Sequence, residues 1–383
     1  MYSVFESPNP FLFGCGTSKL IGEKLKGLGC KKVLVVYDKG VKDAGIVDKI
    51  LDSIKTAGIE TVLFDKVEAD PPDYLVNEAG ALGLSEKVDG IVGVGGGSSM
   101  DTAKGARILS AYSAPINQYL GKHDAPPLDE SNMKPIIVIP TTAGTGSEAT
   151  PGGIITDTET HAKYPLICSV SLGIIDPELT TGLPPGITAS TGFDALCHAV
   201  EALTSKSPNR ISEVLAKEAV SLIARYLPIT CKDGANIEAR EGMSLAATLA
   251  GISLRGPFGG APHDLGSLLG ARYGLPHGTA VGCLLAEGMK FIAPVNPDKV
   301  KIVAECMGAT VPADSTPEEI GIIARDTIRK FYKEVNMPEM KTFIKSKEDM
   351  LDNDKLFKGT SFTPRALTKE DAIEILVNSY DAS

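Results

Sequence analysis

The chain has five histidines, His123, His161, His198, His263 and His277, and the last three fall in its second half beside an unusual carboxylate. Asp194 and His198 stand four residues apart in Gly192-Phe193-Asp194-Ala195-Leu196-Cys197-His198, so a helix sets both on one face about a turn apart. The flanking residues are apolar, which turns that face inward. Burying a carboxylate and an imidazole costs several kcal/mol unless they are paired or bind a cation. His263 and His277 bracket a glycine-rich segment and could approach from neighbouring helices. One carboxylate and three imidazoles suit Fe2+ or Zn2+. The competing reading is a satisfied Asp–His core pair with two unrelated histidines. His123, in a proline-rich polar loop, and His161, in a turn, read as surface residues.

A second constellation lies upstream. Gly95, Gly96, Gly97 and Ser98 directly follow an apolar run, Gly90 to Val94, and open a helical pattern carrying Asp101 and Lys104 in its first turns. Glycines let the backbone turn tightly and approach a ligand, and the free amides of a helix N-terminus favour an anion such as a pyrophosphate. The alternative is an ordinary turn with Ser98 as helix cap. Neither the G-x-G-x-x-G fingerprint nor a P-loop ending is present. Asp38, after the run Lys32 to Tyr37, is placed to accept hydrogen bonds from an adenosine ribose and to repel a 2′-phosphate, favouring NAD over NADP. The polar loop Thr141 to Glu148 suits a nicotinamide and its ribose, or is simply a Gly/Thr turn.

The elements that must position these residues divide into two kinds. Lys32–Tyr37, Thr61–Phe64, Gly90–Val94 and Pro135–Pro140 read as strands of a parallel sheet covered on both faces. Helical patterns between them, Val41–Thr56, Pro72–Leu84 and Ser98–Ser110, imply right-handed crossovers. From about Pro184 the patterns are helical: Ile187–Thr204, Ile211–Tyr226, Ile237–Ser253, Thr279–Ile292, Pro317–Val335 and Thr368–Tyr380. The expected organisation is an α/β parallel-sheet dinucleotide-binding domain, 1–182, followed by an all-α metal-binding domain, 183–383. Lys345–Lys358 reads as a solvated surface segment.

Composition narrows the function classes. Net charge is −10 with dispersed Lys and Arg, which disfavours nucleic acid as a partner. No apolar stretch approaches the length of a membrane span, and no secretory signal is apparent at the start. Seven cysteines without a C-x-x-C pair read as reduced thiols, so the expected location is cytoplasmic.

Four ordered blocks resemble the iron-containing (group III) alcohol dehydrogenase family: GGGSSMDTAKG (95–105), PTTAGTGSEATP (140–151), GFDALCHAVEA (192–202) and the pair His263…Leu275-Pro276-His277-Gly278. The resemblance spans nearly the whole chain. It implies a dehydroquinate-synthase-like architecture with the active site in the cleft between the domains. It also implies Asp194, His198, His263 and His277 as metal ligands, and Gly95 to Ser98 with Asp101 on the pyrophosphate side of NAD(P). Asp38 takes the place of the ribose-binding acid, and Thr141, Thr142 and Thr145 line the nicotinamide side. A homodimer or larger assembly is implied as well. Two positions depart from the family. Ser267 stands where many members carry a further histidine near the substrate. Arg255 stands in a stretch usually made of small or Asn residues, and reads either as a surface residue or as a contact to an anionic substrate end.

The function expected is metal-dependent, reversible hydride transfer between a primary alcohol, with a hydroxy acid among the candidates, and NAD(P), giving the aldehyde. The rivals are an NAD-recycling cyclase or lyase of the dehydroquinate-synthase type and a catalytically silent NAD-binding sensor. A phosphorylated cyclase substrate calls for a basic cluster that the helical half lacks, and a sensor has no use for a full set of metal ligands.

Overall fold

The computed structural model describes residues 5, 9–121, 126–206, 209–254, 259–352 and 363–383. His123 and Arg255 lie outside the described residues, as do 353–358 of the segment expected to be solvated. The chain forms two compact units. One runs to Thr142 and resumes at Gly146–Gly182; the other holds Leu183–Ser383 and takes in Ala143–Thr145.

The first unit is built on a six-stranded parallel sheet. Its strands are β1 (Phe11–Phe13), β2 (Lys32–Asp38), β3 (Glu60–Val67), β4 (Gly90–Gly95), β5 (Ile136–Pro140) and, after a hairpin of β6 (Gly152–Asp157) and β7 (Ala162–Ile167), β8 (Leu172–Ile175). The order is β1-β8-β5-β4-β2-β3. Residues of β2 alternate between two cores: Val33, Val35 and Tyr37 pack on one face, Leu34 and Val36 on the other. Burial on both faces explains the unbroken apolar runs of β2, β4 and β5, whereas β3, at the sheet edge, is mostly exposed and is not covered on both faces as expected. The helices are α1 (Ile21–Gly27), α2 (Lys39–Asp43), α3 (Ile46–Thr56), α4 (Asp73–Ser85) and α5 (Gly97–Leu109). The single helix expected over Val41–Thr56 is two, because Gly45 adopts φ 69° and interrupts it.

The second unit is helical: α6 (Pro185–Thr204), α7 (Arg210–Lys232), α8 (Ile237–Ser253), α9 (Ala261–Tyr273), α10 (His277–Ile292), α11 (Pro297–Cys306), α12 (Pro317–Glu334), α13 (Lys347–Leu351) and α14 (Lys369–Ala382). Phe193 of α6 is fully buried and meets Tyr332 edge-on, with ring centroids 5.2 Å apart. The helix expected to end at Tyr226 continues past Pro228, anchored by buried Leu227 and by Thr230, whose hydroxyl donates to the Leu227 carbonyl. Helix α9 was not expected, since Pro262 and the glycines 266 and 270 weaken local propensity; burial of Leu265 and Leu269 overrides it. The segment from Lys345 is not wholly solvated either, because Met350 of α13 is fully buried.

Candidate metal centre and cofactor loops

Three helices of the second unit bring the predicted metal set together. Asp194 and His198 lie on α6, His263 in the first turn of α9, and His277 opens α10. Oδ1 of Asp194 stands 3.7 Å from Nε2 of His198, 3.7 Å from Nε2 of His263 and 3.6 Å from Nε2 of His277. The donor atoms of Asp194, His263 and His277 all lie within 4.8 Å of one another. His198 joins them through Asp194 and by stacking on His263, with centroids 4.8 Å apart and planes 14° apart. The close approach of α10 to α6 depends on Gly278, where an added Cβ would fall 2.0 Å from the Ser190 carbonyl oxygen.

At 3.6–3.7 Å none of these contacts is a hydrogen bond. Oδ1 of Asp194 and Nε2 of His263 are buried with no hydrogen-bond partner among the described residues. Each such orphan costs about 1–3 kcal/mol. Ligand atoms held about 2.1 Å from one tetrahedral cation stand about 3.4 Å apart, so the spacing and the orphaned atoms both fit a divalent ion. The electrostatics agree. Burial opposes ionisation of Asp194, but the imidazoles, His198 foremost, hold its pKa well below the carboxylate range. Burial lowers that of His198 against the pull of Asp194. Burial also opposes protonation of His263, yet Glu201 and Asp194 outweigh it and push its pKa up to about 10.

In the first unit the register Tyr37↔Val94 and Gly95↔Pro140 brings Asp38, Gly96 and Thr141 to the carboxyl ends of adjacent strands β2, β4 and β5. The strand order reverses there, which is where open α/β sheets bind ligands. Thr141 N–H donates to the Gly95 carbonyl at 2.9 Å, and Ser99 Oγ donates to Oδ2 of Asp38 at 2.9 Å. Gly95 has φ 148°, and a Cβ there would lie 2.5 Å from Ser99 Oγ, so only glycine fits. Gly96, not Ser98, occupies the cap position of α5, and no side chain caps the helix. Gly97 and Ser98 thus start a thirteen-residue helix whose terminus suits a pyrophosphate. Thr142 lies 3.5 Å from where a Gly96 Cβ would stand. Asp101 points elsewhere: it accepts from Ser147 Oγ at 2.7 Å and from Ile154 N–H at 2.8 Å. Thr145 groups with the helical unit. Ser267 sits one turn beyond His263 in α9, and His161 lies in the β6–β7 turn, exposed.

Comparison with known proteins settles the family. The profile described as iron-containing alcohol dehydrogenase matches residues 8–177, and that of the Fe-containing alcohol dehydrogenase family, C-terminal, matches 188–380. This chain belongs to the iron-containing alcohol dehydrogenase family. It is a metal-dependent oxidoreductase that passes a hydride between an alcohol and a nicotinamide dinucleotide. The dehydrogenase is 40% identical over 321 residues to a choline dehydrogenase of Bacillus subtilis (strain 168), covering 83% of this chain and 79% of that one. It is 33% identical over 386 residues to an NAD-dependent methanol dehydrogenase of Bacillus methanolicus, covering 98% and 99%. The crystal structure of a 1,3-propanediol oxidoreductase superposes with a TM-score of 0.90 at 34% identity, covering 98% of this chain and all of that one.

One functional-looking residue of the dehydrogenase escaped the sequence reading. Glu201, three residues after His198, is buried, and its carboxylate accepts from the backbone N–H of His263 at 3.1 Å and meets His263 Nδ1. The signal was present: residues 194, 198 and 201 share one face of α6, so a second acid on the metal-facing side was legible from spacing alone.

Proposed function

We propose that this dehydrogenase holds a divalent iron, or zinc, on Asp194, His198, His263 and His277, and interconverts a primary alcohol and its aldehyde. The observation that carries this is the approach of three imidazole Nε2 atoms to one buried carboxylate oxygen at 3.6–3.7 Å. When bound, the cation polarises the substrate oxygen and the nicotinamide gives or takes the hydride. The chain's own residues do the rest. Asp194 supplies the negative charge that offsets the cation, and the imidazoles bind as neutral donors once His263 has released its proton. Gly95 to Ser98, at the uncapped start of α5, bind the pyrophosphate, and Asp38 accepts from the adenosine ribose and repels a 2′-phosphate, favouring NAD over NADP. Thr141, Thr142 and Thr145 orient the nicotinamide side, while Asp101 acts indirectly by holding Ser147 and Ile154 behind the loop. With Ser267 in place of a histidine, the alcohol proton leaves through water or the cofactor ribose.

The reading extends to a dinucleotide-binding domain over 1–182, a metal-binding domain over 183–383, a homodimer or larger assembly, and a cytoplasmic location, supported by seven cysteines with no C-x-x-C pair among them. Arg255 is the sequence feature that favours a hydroxy acid among the substrates. The test is His277→Ala, read by elemental analysis and by NADH production over a panel of alcohols. Metal and turnover should vanish together, with kcat/KM down by more than about a thousandfold, since loss of Lewis-acid stabilisation removes several kcal/mol. Normal turnover in metal-free His277→Ala protein would refute the assignment.

A further inference from the structure

We infer that Glu201 is a positioning residue that presents His263 to the metal in one tautomer, an inference that rests on the four-residue metal reading above. Helix α9 has no side-chain cap of its own, because its cap residue is Gly260, and Pro262 at its second position has no N–H to offer. The N–H of His263, third in the helix, is an orphan donor, and Glu201 from α6 accepts it at 3.1 Å. A carboxylate at this helix start is also favoured by the α9 dipole. The other oxygen of the same carboxylate meets Nδ1 of the His263 ring.

A carboxylate oxygen faces Nδ1 and is an acceptor, so Nδ1 is the ring nitrogen that donates to it. That leaves the lone pair on Nε2, the atom that lies 3.7 Å from Asp194 Oδ1 and has no hydrogen-bond partner among the described residues. Backbone and ring of His263 are therefore gripped by one group, which fixes both where the residue starts and which nitrogen it turns to the cation. Glu201 is also buried on the helix that supplies Asp194 and His198, so α6 contributes to three of the four positions, two directly and one through Glu201. Outer acceptors of this kind orient a ligating imidazole and raise its basicity, and their loss typically weakens metal binding by about 10–100-fold.

A purely structural role, capping α9, predicts something different, and the full-length metal-loaded protein separates the two. Glu201→Gln keeps a carbonyl for the backbone N–H but loses the charge and the second acceptor. Zinc should pass from Glu201→Gln to a chromophoric chelator about 10–100 times faster than from the wild type. The visible absorption of the cobalt-substituted variant should shift. A capping role alone would lower the melting temperature and leave the transfer rate and the cobalt band unchanged, and that result overturns the inference. Should Glu201→Gln fail to fold, nitrogen-15 NMR of histidine-labelled, zinc-loaded wild type decides: the proton of His263 is expected on Nδ1, and finding it on Nε2 overturns the assignment. If wild type and His277→Ala take up zinc equally poorly, the metal reading itself fails and this inference with it. If only wild type holds zinc and Glu201→Gln matches wild type, Glu201 alone loses its role.

Discussion

In the sheet unit the ammonium of Lys104, fully buried, is surrounded by oxygens of its own chain; in the helical unit the buried oxygen of Asp194 faces three imidazoles at distances too long to bond. Lys104 Nζ donates to the carbonyl and hydroxyl of Ser147, both at 2.7 Å, to the carbonyl of Thr150 at 3.3 Å and to that of Gly152. Ser147 Oγ in turn donates to Asp101, which stands 4.0 Å from Lys104. Burial pulls the Lys104 pKa down with Asp101 opposing, and pushes that of Asp101 up with Lys104 opposing. That network is closed and ties α5 to the loop before β6 and to β6 itself. The cluster around Asp194 is open. Two buried charged groups on inward-facing helices look alike in a sequence; what separates structure from function here is whether the chain supplies the partners.

Breaking the closed network should have the largest effect on stability. Lys104→Met strands Asp101 and several carbonyls, and should cost about 3–5 kcal/mol in denaturant unfolding. The contrast sharpens if the loss is the same with and without a chelator, because the metal belongs to the other unit. A loss of Lys104 that altered metal content would blur the distinction. Next comes Gly278→Ala. Its Cβ has no room against Ser190, so α10 must shift, at about 1–3 kcal/mol, and His277 moves with it. Weaker metal retention with unchanged NAD affinity, measured by chelator competition and fluorescence titration, is the expected pair of results. A smaller effect is expected at the cofactor edge. Asp38→Ala should raise kcat/KM with NADP relative to NAD by about tenfold, roughly 1.4 kcal/mol of discrimination, while metal content stays put. Smallest is Arg255→Ala, expected to lower kcat/KM for carboxylate-bearing alcohols relative to uncharged ones by a few-fold, as for one screened charge contact of about 1 kcal/mol. An unchanged ratio would remove the hydroxy-acid preference.

Much of this molecule is legible in its sequence, for reasons that differ by element. Strands β2, β4 and β5 announce themselves because both faces are buried and every residue must be apolar or small. Helices α6, α8, α10, α12 and α14 show through their inward stripes. The short β1 and β8, the β6–β7 hairpin and α9 do not, because their conformations are decided elsewhere in the chain. β1 is held by pairing with β8, and α9 by Leu265, Leu269 and the carboxylate of Glu201. The residues proposed to hold the metal stand out in the sequence because histidines are scarce and Asp194 and His198 have a helical spacing, and the structure brings them together. Glu201 shares the face of Asp194 and His198 by its spacing, but a single glutamate on a helix is ordinarily a solvated residue, so the spacing makes it a candidate and its burial against His263 decides.

The donor atoms around Asp194 come from α6 and, well downstream, from the consecutive helices α9 and α10, with His277 the last to appear. Until α9 has emerged from the ribosome, a growing polypeptide can offer an ion only the Asp194–His198 pair, a weak grip. Firm uptake has to wait until the start of α10 has been synthesised and docked against α6. On the proposed four-residue site, metal insertion is a late event in maturation, and a chain truncated before residue 277 should leave the cell's metal pool untouched.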